Sequence, residues 1–254
     1  MNYTKAESFP TIEQTMRTLK LSGMAKDWRN VVYQDSEQYM RELLNIEVRE
    51  REANRMTRMI KQANFRVIKT LDDFIWKQTI EIPATITREE IEVADFVKRK
   101  ENLVLMGATG TGKTHLATAV AMSLCEKGHH VRFFTATGLA NILTEKHQRG
   151  TLSSFMNSLR RVELLVLDEI GFITLHKEAA ELIFQVISEC YEQKSLIITS
   201  NLEFSQWNTV FGNDKLTAAM VDRIIHHSHI LVFSGPGHRL EESIQRQRKG
   251  GAPQ

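Results

Sequence analysis

The sequence predicts an α/β fold in which a five-stranded parallel sheet follows a small all-helical N-terminal domain. Two observations lead to this prediction. From residue 101 onward, short apolar runs alternate with stretches of helical length, which is the pattern of parallel strands connected by helices that cover both faces of a sheet. The first 68 residues show mainly the three-to-four-residue apolar spacing of helices. We therefore place a domain boundary near Ile68.

The predicted helical domain, residues 1–68, contains two long helical segments. The first covers Glu13–Val32, where Gly23 weakens or divides the helix, and the second covers Ser36–Ala63. The second segment is strongly basic from Arg49 onward. Such a local excess of positive charge favours binding to a phosphate backbone, and a solvated helix face is the alternative. The candidate DNA contacts in this segment are Arg49, Arg51, Arg55, Arg58 and Lys61.

Residues 69–245 are predicted to form the α/β domain. A connector from Thr70 to Ile91 leads into it and contains Phe74, a candidate for the adenine pocket. The predicted strands are Leu103–Met106, Val131–Phe134, Leu164–Leu167, Ser195–Thr199 and Ile230–Phe233. The predicted helices are Arg88–Lys98, Lys113–Lys127, Gly138–Arg149, Leu152–Leu159, Lys177–Glu192 and Lys215–His226. The polar, glycine-rich end of the chain, residues 246–254, is predicted to be disordered.

The composition narrows the class of protein. The formal net charge is +2, so total charge does not indicate a nucleic-acid binder and any such role depends on local charge. Cys125 and Cys190 form no CxxC pair and no disulfide framework, as is usual in a reducing cytosol. The first residues lack the apolar stretch of a secretory signal, and no segment is apolar enough to cross a bilayer. We therefore expect a soluble cytoplasmic protein without membrane contact.

A glycine-rich loop lies between the first strand of the predicted sheet and the helix that follows it. The loop reads GATGTGKT and matches G-x-x-x-x-G-K-[ST] at every fixed position. Its glycines let backbone amides surround phosphate groups, and the helix N-terminus adds a positive dipole end. Lys113 is expected to reach the β- and γ-phosphates, and the Thr114 hydroxyl to bind Mg²⁺. The sequence therefore predicts an ATP and Mg²⁺ site formed by Gly107, Ala108, Thr109, Gly110, Thr111, Gly112, Lys113, Thr114 and His115.

An acidic pair, Asp168 and Glu169, follows the third predicted strand. The carboxyl ends of parallel strands lie beside the phosphate loop in sheets of this kind. We expect Asp168 to hold Mg²⁺, directly or through water, and Glu169 to polarise the attacking water as a general base. The alternative role for this pair is to cap a helix, and the complete phosphate loop upstream favours the catalytic role.

Three further polar residues are candidates for the same reaction. Asn201 closes the fourth predicted strand, where an amide can position water or contact the γ-phosphate, and an ordinary turn residue is the alternative. Arg223 lies in a predicted helix with an apolar face, and Arg239 follows the last strand. Either arginine is a candidate arginine finger, which would stabilise transition-state charge, or an ordinary surface residue.

Several segments together resemble a known family. GKTHLA, at Gly112–Ala117, is similar to the form found across the initiator clade of AAA+ ATPases, which includes the helicase loader DnaC and the initiator DnaA. Segments of the first third are more selective, and they read LKLSGMA, EVRER, ANF and KTLDDF. With them, nearly the whole chain resembles the IstB family, the ATPase helpers of bacterial insertion-sequence transposition. The four segments of the first third occupy Leu19–Ala25, Glu47–Arg51, Ala63–Phe65 and Lys69–Phe74.

The resemblance implies an AAA+ P-loop fold without a full C-terminal lid, and ATP sites shared between the subunits of a homo-oligomer. Asn201 would be the sensor that reads the γ-phosphate. Arg223 would be the arginine finger that completes a neighbouring subunit's site in trans. Arg239 would be a second sensor acting in cis. The Walker A and Walker B residues would be Lys113, Thr114, Asp168 and Glu169.

The resemblance also implies a function. Members of this family bind double-stranded DNA with little sequence specificity, distort it, and deliver target DNA to an IstA-like transposase. A helical insertion typical of the initiator clade is implied between Ala136 and Arg161. The DNA-contact candidates within it are Lys146, Arg149, Arg160 and Arg161.

Two other classes of function compete with this hypothesis. A DnaC-like loader of a replicative helicase would share the ATPase core, and only the segments of the first third favour the transposition helper over it. A metabolic P-loop kinase is the third class. The Asp168–Glu169 pair, together with Asn201 and Arg223 at AAA+ positions, disfavours the kinase.

Overall fold

The computed structural model of the chain describes residues 11–235 and 237. Arg239 and the predicted disordered tail, residues 246–254, lie outside the described residues. The helices are α1 Ile12–Thr18, α2 Ser22–Asp27, α3 Ser36–Ala63, α4 Arg88–Val93, α5 Lys113–Glu126, α6 Ala136–Gln148, α7 Leu152–Leu159, α8 Lys177–Cys190, α9 Asn208–Phe211 and α10 Asp214–Ile225. The strands are β1 Ile80–Glu81, β2 Asn102–Gly107, β3 Val131–Thr135, β4 Leu164–Ile170, β5 Ser195–Ser200 and β6 Ser228–Phe233.

Among the described residues, the sheet has six strands in the order β1-β6-β2-β5-β4-β3. Strands β2 to β6 are parallel and contain all five predicted strands, so the predicted α/β fold is confirmed. The predicted number of strands was wrong by one. The two-residue strand β1 pairs antiparallel with β6 at the sheet edge, with Ile80 opposite Phe233. Two residues are too few to produce the alternating pattern by which a strand is recognised in a sequence.

The apolar runs form strands because both faces of the sheet are covered. Helices α6, α8 and α10 pack on one apolar cluster, and α5 with the last turn of α3 packs on the other. Leu103, Leu105 and Val104 of β2 are fully buried on alternating faces. Full burial of one such side chain contributes roughly 1.5–3 kcal/mol. The phosphate loop therefore begins from one of the most securely packed strands of the described chain.

The chain divides into two compact units after Arg58, within α3, rather than near Ile68. The reason lies in the last turn of α3, where Met59 and Ala63 are buried in the core of the second unit. Phe65 continues this packing, with its ring 5.9 Å from that of Phe133 between centroids. The segment 59–68, predicted to belong to the helical domain, thus packs with the sheet. The functions assigned to the two units remain predictions.

Two predicted helices are interrupted at a non-glycine residue with positive φ. The segment Glu13–Val32 breaks near Lys20, with φ of 59°, while Gly23 lies inside α2. The segment Arg88–Lys98 breaks at Ala94, also with φ of 59°, and continues as a short 3₁₀ helix. Such left-handed residues end helices but are rare enough that residue type alone does not reveal them.

Glu47 connects α2 to α3 within the first unit. Its buried carboxylate accepts hydrogen bonds from the backbone N–H groups of Gly23 (2.8 Å) and Met24 (3.3 Å) and from Nε of Arg51 (2.7 Å). Burial raises the pKa of Glu47, but the hydrogen bonds outweigh burial and the net shift is downward. The helices approach closely because residue 23 is glycine: a Cβ there would lie 2.8 Å from Cβ of Glu50. These contacts join the LSGMA segment to the EVRER segment.

We predict that Glu47→Gln destabilises the first unit by about 1–3 kcal/mol at neutral pH, because buried N–H groups lose a charged acceptor. A lowered folded-state pKa means that the stabilisation is complete above the unfolded pKa and is lost as the pH falls through the folded value. The deficit of the variant should therefore shrink once the pH drops below about 4.5. Urea unfolding of the full chain, of wild type and variant, measures this deficit from neutral pH down to below about 4.5. Glu37→Gln, on the exposed side of the same helix, is the control.

Candidate nucleotide site

The phosphate loop connects β2 to α5 and contains three glycines with positive φ. Gly107, Gly110 and Gly112 have φ values of 140°, 81° and 106°, which other residues rarely adopt. Gly107 also lies directly against the backbone of Phe233 in β6, where a Cβ would have no space. The loop leads into the N-terminus of α5, a helix of 14 residues. Backbone amides and the helix dipole together make this a site for anions.

Lys113 is buried at the centre of the loop. Its Nζ donates hydrogen bonds to the carbonyl oxygens of Gly107 and Ala108, both at 2.7 Å. Burial lowers the pKa of Lys113 to about 8, and the nearby carboxylate of Asp168 opposes this shift. The loop therefore holds a positive charge that is largely removed from solvent, at the position where phosphate oxygens are expected.

Asp168 and Thr114 lie together, as predicted for a Mg²⁺ site. The Asp168 side chain is buried, with the residue 2% exposed. Its Oδ1 accepts hydrogen bonds from the hydroxyls of Thr114 (2.8 Å) and Thr199 (2.6 Å). Carboxylate and hydroxyl oxygens are the hard ligands that Mg²⁺ takes. The residues present therefore fit this ion.

Glu169 leaves the regular strand at a bulge. The register between β4 and β5 shifts between Leu167 and Ile170, and Glu169 has a φ of 64°. Its N–H donates to the Thr199 hydroxyl at 2.9 Å instead of to a strand carbonyl. A non-glycine residue in this conformation costs on the order of 1–3 kcal/mol, a strain typical of functional sites. The bulge brings the Glu169 side chain, 42% exposed, to the wall of the cavity beside the loop.

Asn201 follows β5 and lines the same cavity. Its Oδ1 is buried and has no hydrogen-bond partner among the described residues. Buried polar atoms usually have a partner, so this amide fits a ligand or a water molecule. Gly171 makes room for it, since a Cβ at that position would overlap Oδ1 of Asn201. Gly171 also has a φ of 119°, and the sequence interpretation missed this supporting role.

One cavity of about 600 Å³ joins the predicted site residues. Residues of the loop, Asp168, Glu169, Thr199 and Asn201 line it. His115 lines it too, with its ring 5.3 Å from that of Phe74 and nearly perpendicular to it. The sequence interpretation missed further lining residues, which come from the segment between α3 and β1 and from the loop after β4. They are Arg66, Val67, Lys69, Asp73, Ile75 and Phe172.

Arg223 does not line this cavity. It lies on α10, donates to the carbonyl of Ala219 at 2.8 Å, and places its guanidinium carbon 5.0 Å from the centre of the Phe184 ring. A residue that acts in trans is expected to be remote from its own subunit's nucleotide, so this position agrees with that prediction without testing it.

The candidate DNA contacts are mostly exposed. On α3, Arg51 forms an ion pair with Glu47, whereas Arg49 and Arg58 are exposed. The segment predicted to hold a helical insertion forms α6 and α7, and there Arg149 pairs with Glu145 at 2.8 Å. Contact with DNA remains a prediction for all of them. The other candidates are Arg55, Lys61, Arg160 and Arg161, all exposed, and Lys146, which is half-buried.

Comparison with known proteins identifies the family. A model of the IstB-like ATP binding protein family matches residues 14–246. The chain belongs to this family. It is 32% identical to the ATP-binding protein of insertion sequence IS5376 from Geobacillus stearothermophilus, over 94% of this chain and 97% of that protein. It is 37% identical to that of insertion sequence IS21 from Pseudomonas aeruginosa, over 77% of this chain and 72% of the relative.

Solved structures identify the AAA+ P-loop fold. The DnaC helicase loader is similar with a TM-score of 0.52 and 25% identity, over 65% of this chain and 96% of that one. DnaA from Aquifex aeolicus, bound to AMPPCP, is similar with a TM-score of 0.54 and 22% identity, over 73% of this chain and 55% of that one. Membership of the IstB-like family assigns ATP as the ligand of the loop. Within the described residues, helices long and apolar enough to span a bilayer are absent.

We predict that ATP affinity falls as the pH rises above about 8. Lys113 attracts phosphate only when protonated, and burial lowers its pKa to about 8, so the free site loses its charge above that pH. Kd for ATP, measured by calorimetry, should rise about fivefold between roughly pH 8 and 9. A Lys113→Arg variant is the control, because a guanidinium does not titrate in this range. The same pH dependence in both proteins would show that Lys113 is not the cause.

Proposed function

We propose that this protein is a Mg²⁺-dependent ATPase that assembles on double-stranded DNA with ATP bound and assists an IstA-like transposase in insertion-sequence transposition. The observation that carries the ATPase activity is the meeting of Lys113, Thr114, Asp168, Glu169 and Asn201 around one cavity. The transposition role is supported by relatives that are ATP-binding proteins of insertion sequences. It would act in the cytoplasm.

The chemistry divides among these residues. Lys113 and the loop amides would bind the β- and γ-phosphates, and Thr114 and Asp168 would hold Mg²⁺. The ion, when bound, neutralises phosphate charge. Glu169 accepts the proton of the attacking water, and Asn201 orients that water or the γ-phosphate. A positioned general base of this kind contributes roughly 10²–10⁴-fold in rate.

The site is proposed to be completed by a second subunit. Arg223 lies apart from the cavity of its own chain, yet the resemblance assigns it a role at the γ-phosphate. Both hold if Arg223 reaches the site of a neighbouring subunit in a homo-oligomer. An arginine supplied in this way is worth roughly 10³–10⁵-fold in rate. Arg239, in cis, is proposed as a second sensor.

DNA binding is supported by local charge. Exposed arginines of α3 and of the α6–α7 insertion offer contacts to phosphates, which release counterions and carry no sequence preference. The helicase loader is the second candidate function, and the likeness to DnaC favours it. That likeness covers 65% of this chain, whereas the match to the IstB-like family begins at residue 14 and includes the contacts between α2 and α3.

We predict that Glu169→Gln keeps ATP affinity within about twofold and lowers kcat by roughly 10²–10⁴-fold, because the base is lost while the phosphate contacts remain. If ATP drives assembly, the variant should stay on duplex DNA as an oligomer after wild type has dissociated. Lys113→Ala is the matched control that should not assemble by itself, because it lacks the ATP that each of its interfaces would need. Sedimentation on labelled duplex DNA with ATP compares the three proteins. Equal assembly of Lys113→Ala and wild type would refute the nucleotide switch.

We predict that two inactive variants restore activity when mixed. Arg223→Ala lacks the arginine finger but keeps an intact nucleotide site, and Lys113→Ala lacks the nucleotide site but keeps the finger. An interface between the two variants can therefore join the intact finger of one subunit to the intact site of the other. Turnover of the mixture should exceed that of either variant by at least about tenfold, since a finger is worth far more than that. A mixture of Lys113→Ala and Glu169→Gln is the control. Each of these variants carries a defect in its own nucleotide site, so the mixture contains no intact site. No recovery in the first mixture would place Arg223 in cis or outside the reaction.

A further inference from the structure

The segment after α3 holds an arginine beside the proposed general base. Helix α3 ends at Ala63, which is fully buried, and Asn64 turns the chain with a φ of 63°. Phe65 then packs on Phe133 of β3, with ring centroids 5.9 Å apart. Arg66 is the next residue and lines the nucleotide cavity. Its backbone is therefore fixed by packing immediately before it.

A second contact fixes the same segment to the sheet. Arg132 of β3 donates from Nη1 to the carbonyl of Gln62, in the last turn of α3, at 2.7 Å. The end of the helix is thus attached to β3 through both a side chain and an apolar contact. This anchoring distinguishes Arg66 from an arginine on a free surface loop.

The guanidinium of Arg66 reaches two residues of the site. Its Nη2 donates to the Thr135 hydroxyl at 3.3 Å, and its Nη1 lies 3.7 Å from Oε2 of Glu169. Thr135 ends β3 directly opposite Asp168 of β4. The Arg66 and Glu169 side chains are 65% and 42% exposed, so the ion pair is weak and easily broken. A weak contact of this kind suits a restraint that must be released in each cycle.

We propose that Arg66 is a positioning residue that restrains the Glu169 carboxylate. The inference rests on the proposed function, in which Glu169 is the general base. While Oε2 faces the guanidinium, that oxygen is shared with a cation and is not free to accept the proton of the attacking water. Releasing Arg66 makes both carboxylate oxygens available to water.

The test measures steady-state ATPase activity of the full chain. Arg66→Gln should raise kcat about two- to fivefold, the range that an exposed ion pair permits, and leave KM for ATP within about twofold. Arg66→Lys, which keeps the charge, should lie between Arg66→Gln and wild type. Arg41→Gln is the control, because Arg41 is equally exposed on α3 and pairs with Glu37.

A second background separates a positioning role from a structural one. If Arg66 acts through Glu169, Arg66→Gln should produce no increase in a chain that already carries Glu169→Gln. The inference is overturned if Arg66→Gln behaves like Arg41→Gln, if it chiefly raises KM, or if it gives the same increase in both backgrounds. Failure of wild type to hydrolyse ATP would overturn the proposed function and this inference together. Turnover that depends on Glu169 but not on Arg66 would overturn the inference alone.

Discussion

The hydroxyl of Thr199 is the interaction on which the geometry of the site depends. It donates to Oδ1 of Asp168 at 2.6 Å and accepts the N–H of Glu169 at 2.9 Å. One side chain on β5 thereby fixes the carboxylate expected to hold Mg²⁺ and replaces the strand partner that Glu169 loses at its bulge. Thr114 completes the arrangement from α5. Three elements of the fold thus meet at a single buried carboxylate, where a hydrogen bond is worth more than at the surface.

The free-energy cost of burying Lys113 and Asp168 explains where these two residues lie in the fold. A buried lysine and a buried aspartate are both expensive unless each has partners. Lys113 donates to two carbonyls of its own loop, and Asp168 accepts two hydroxyl hydrogen bonds. Both residues belong to packed elements: Lys113 begins α5, after the loop that follows β2, and Asp168 lies in β4. The carboxyl edge of a parallel sheet provides such anchored positions next to a helix N-terminus, which is where phosphate is held.

The sequence was sufficient for the features that have a local cause. The five parallel strands were found because burial on both faces requires continuous apolar runs, and helices Ser36–Ala63 and Leu152–Leu159 were predicted with their observed ends. The phosphate loop and the Asp168–Glu169 pair follow from chemistry at fixed spacing. Strand β1, Arg66 and Gly171 could not be found in this way. Each owes its position to a partner far along the chain, such as Phe233 for Ile80 of β1, and neither spacing nor residue type records such a partner.

The site combines buried residues with fixed partners and one residue, the proposed general base, whose contacts are weak. Lys113 and Asp168 are 8% and 2% exposed and fixed by short hydrogen bonds. Glu169, by contrast, has a strained backbone, an exposed side chain and only a loose ion pair. Strain and weak contacts allow a group to change position at small cost, whereas a buried charge with fixed partners resists displacement. In the proposed ATPase, such a site would bind ATP in every state of the protein, while hydrolysis would depend on where Glu169 lies. That separation is what a nucleotide switch requires, because the bound triphosphate must persist until an assembly signal permits its hydrolysis.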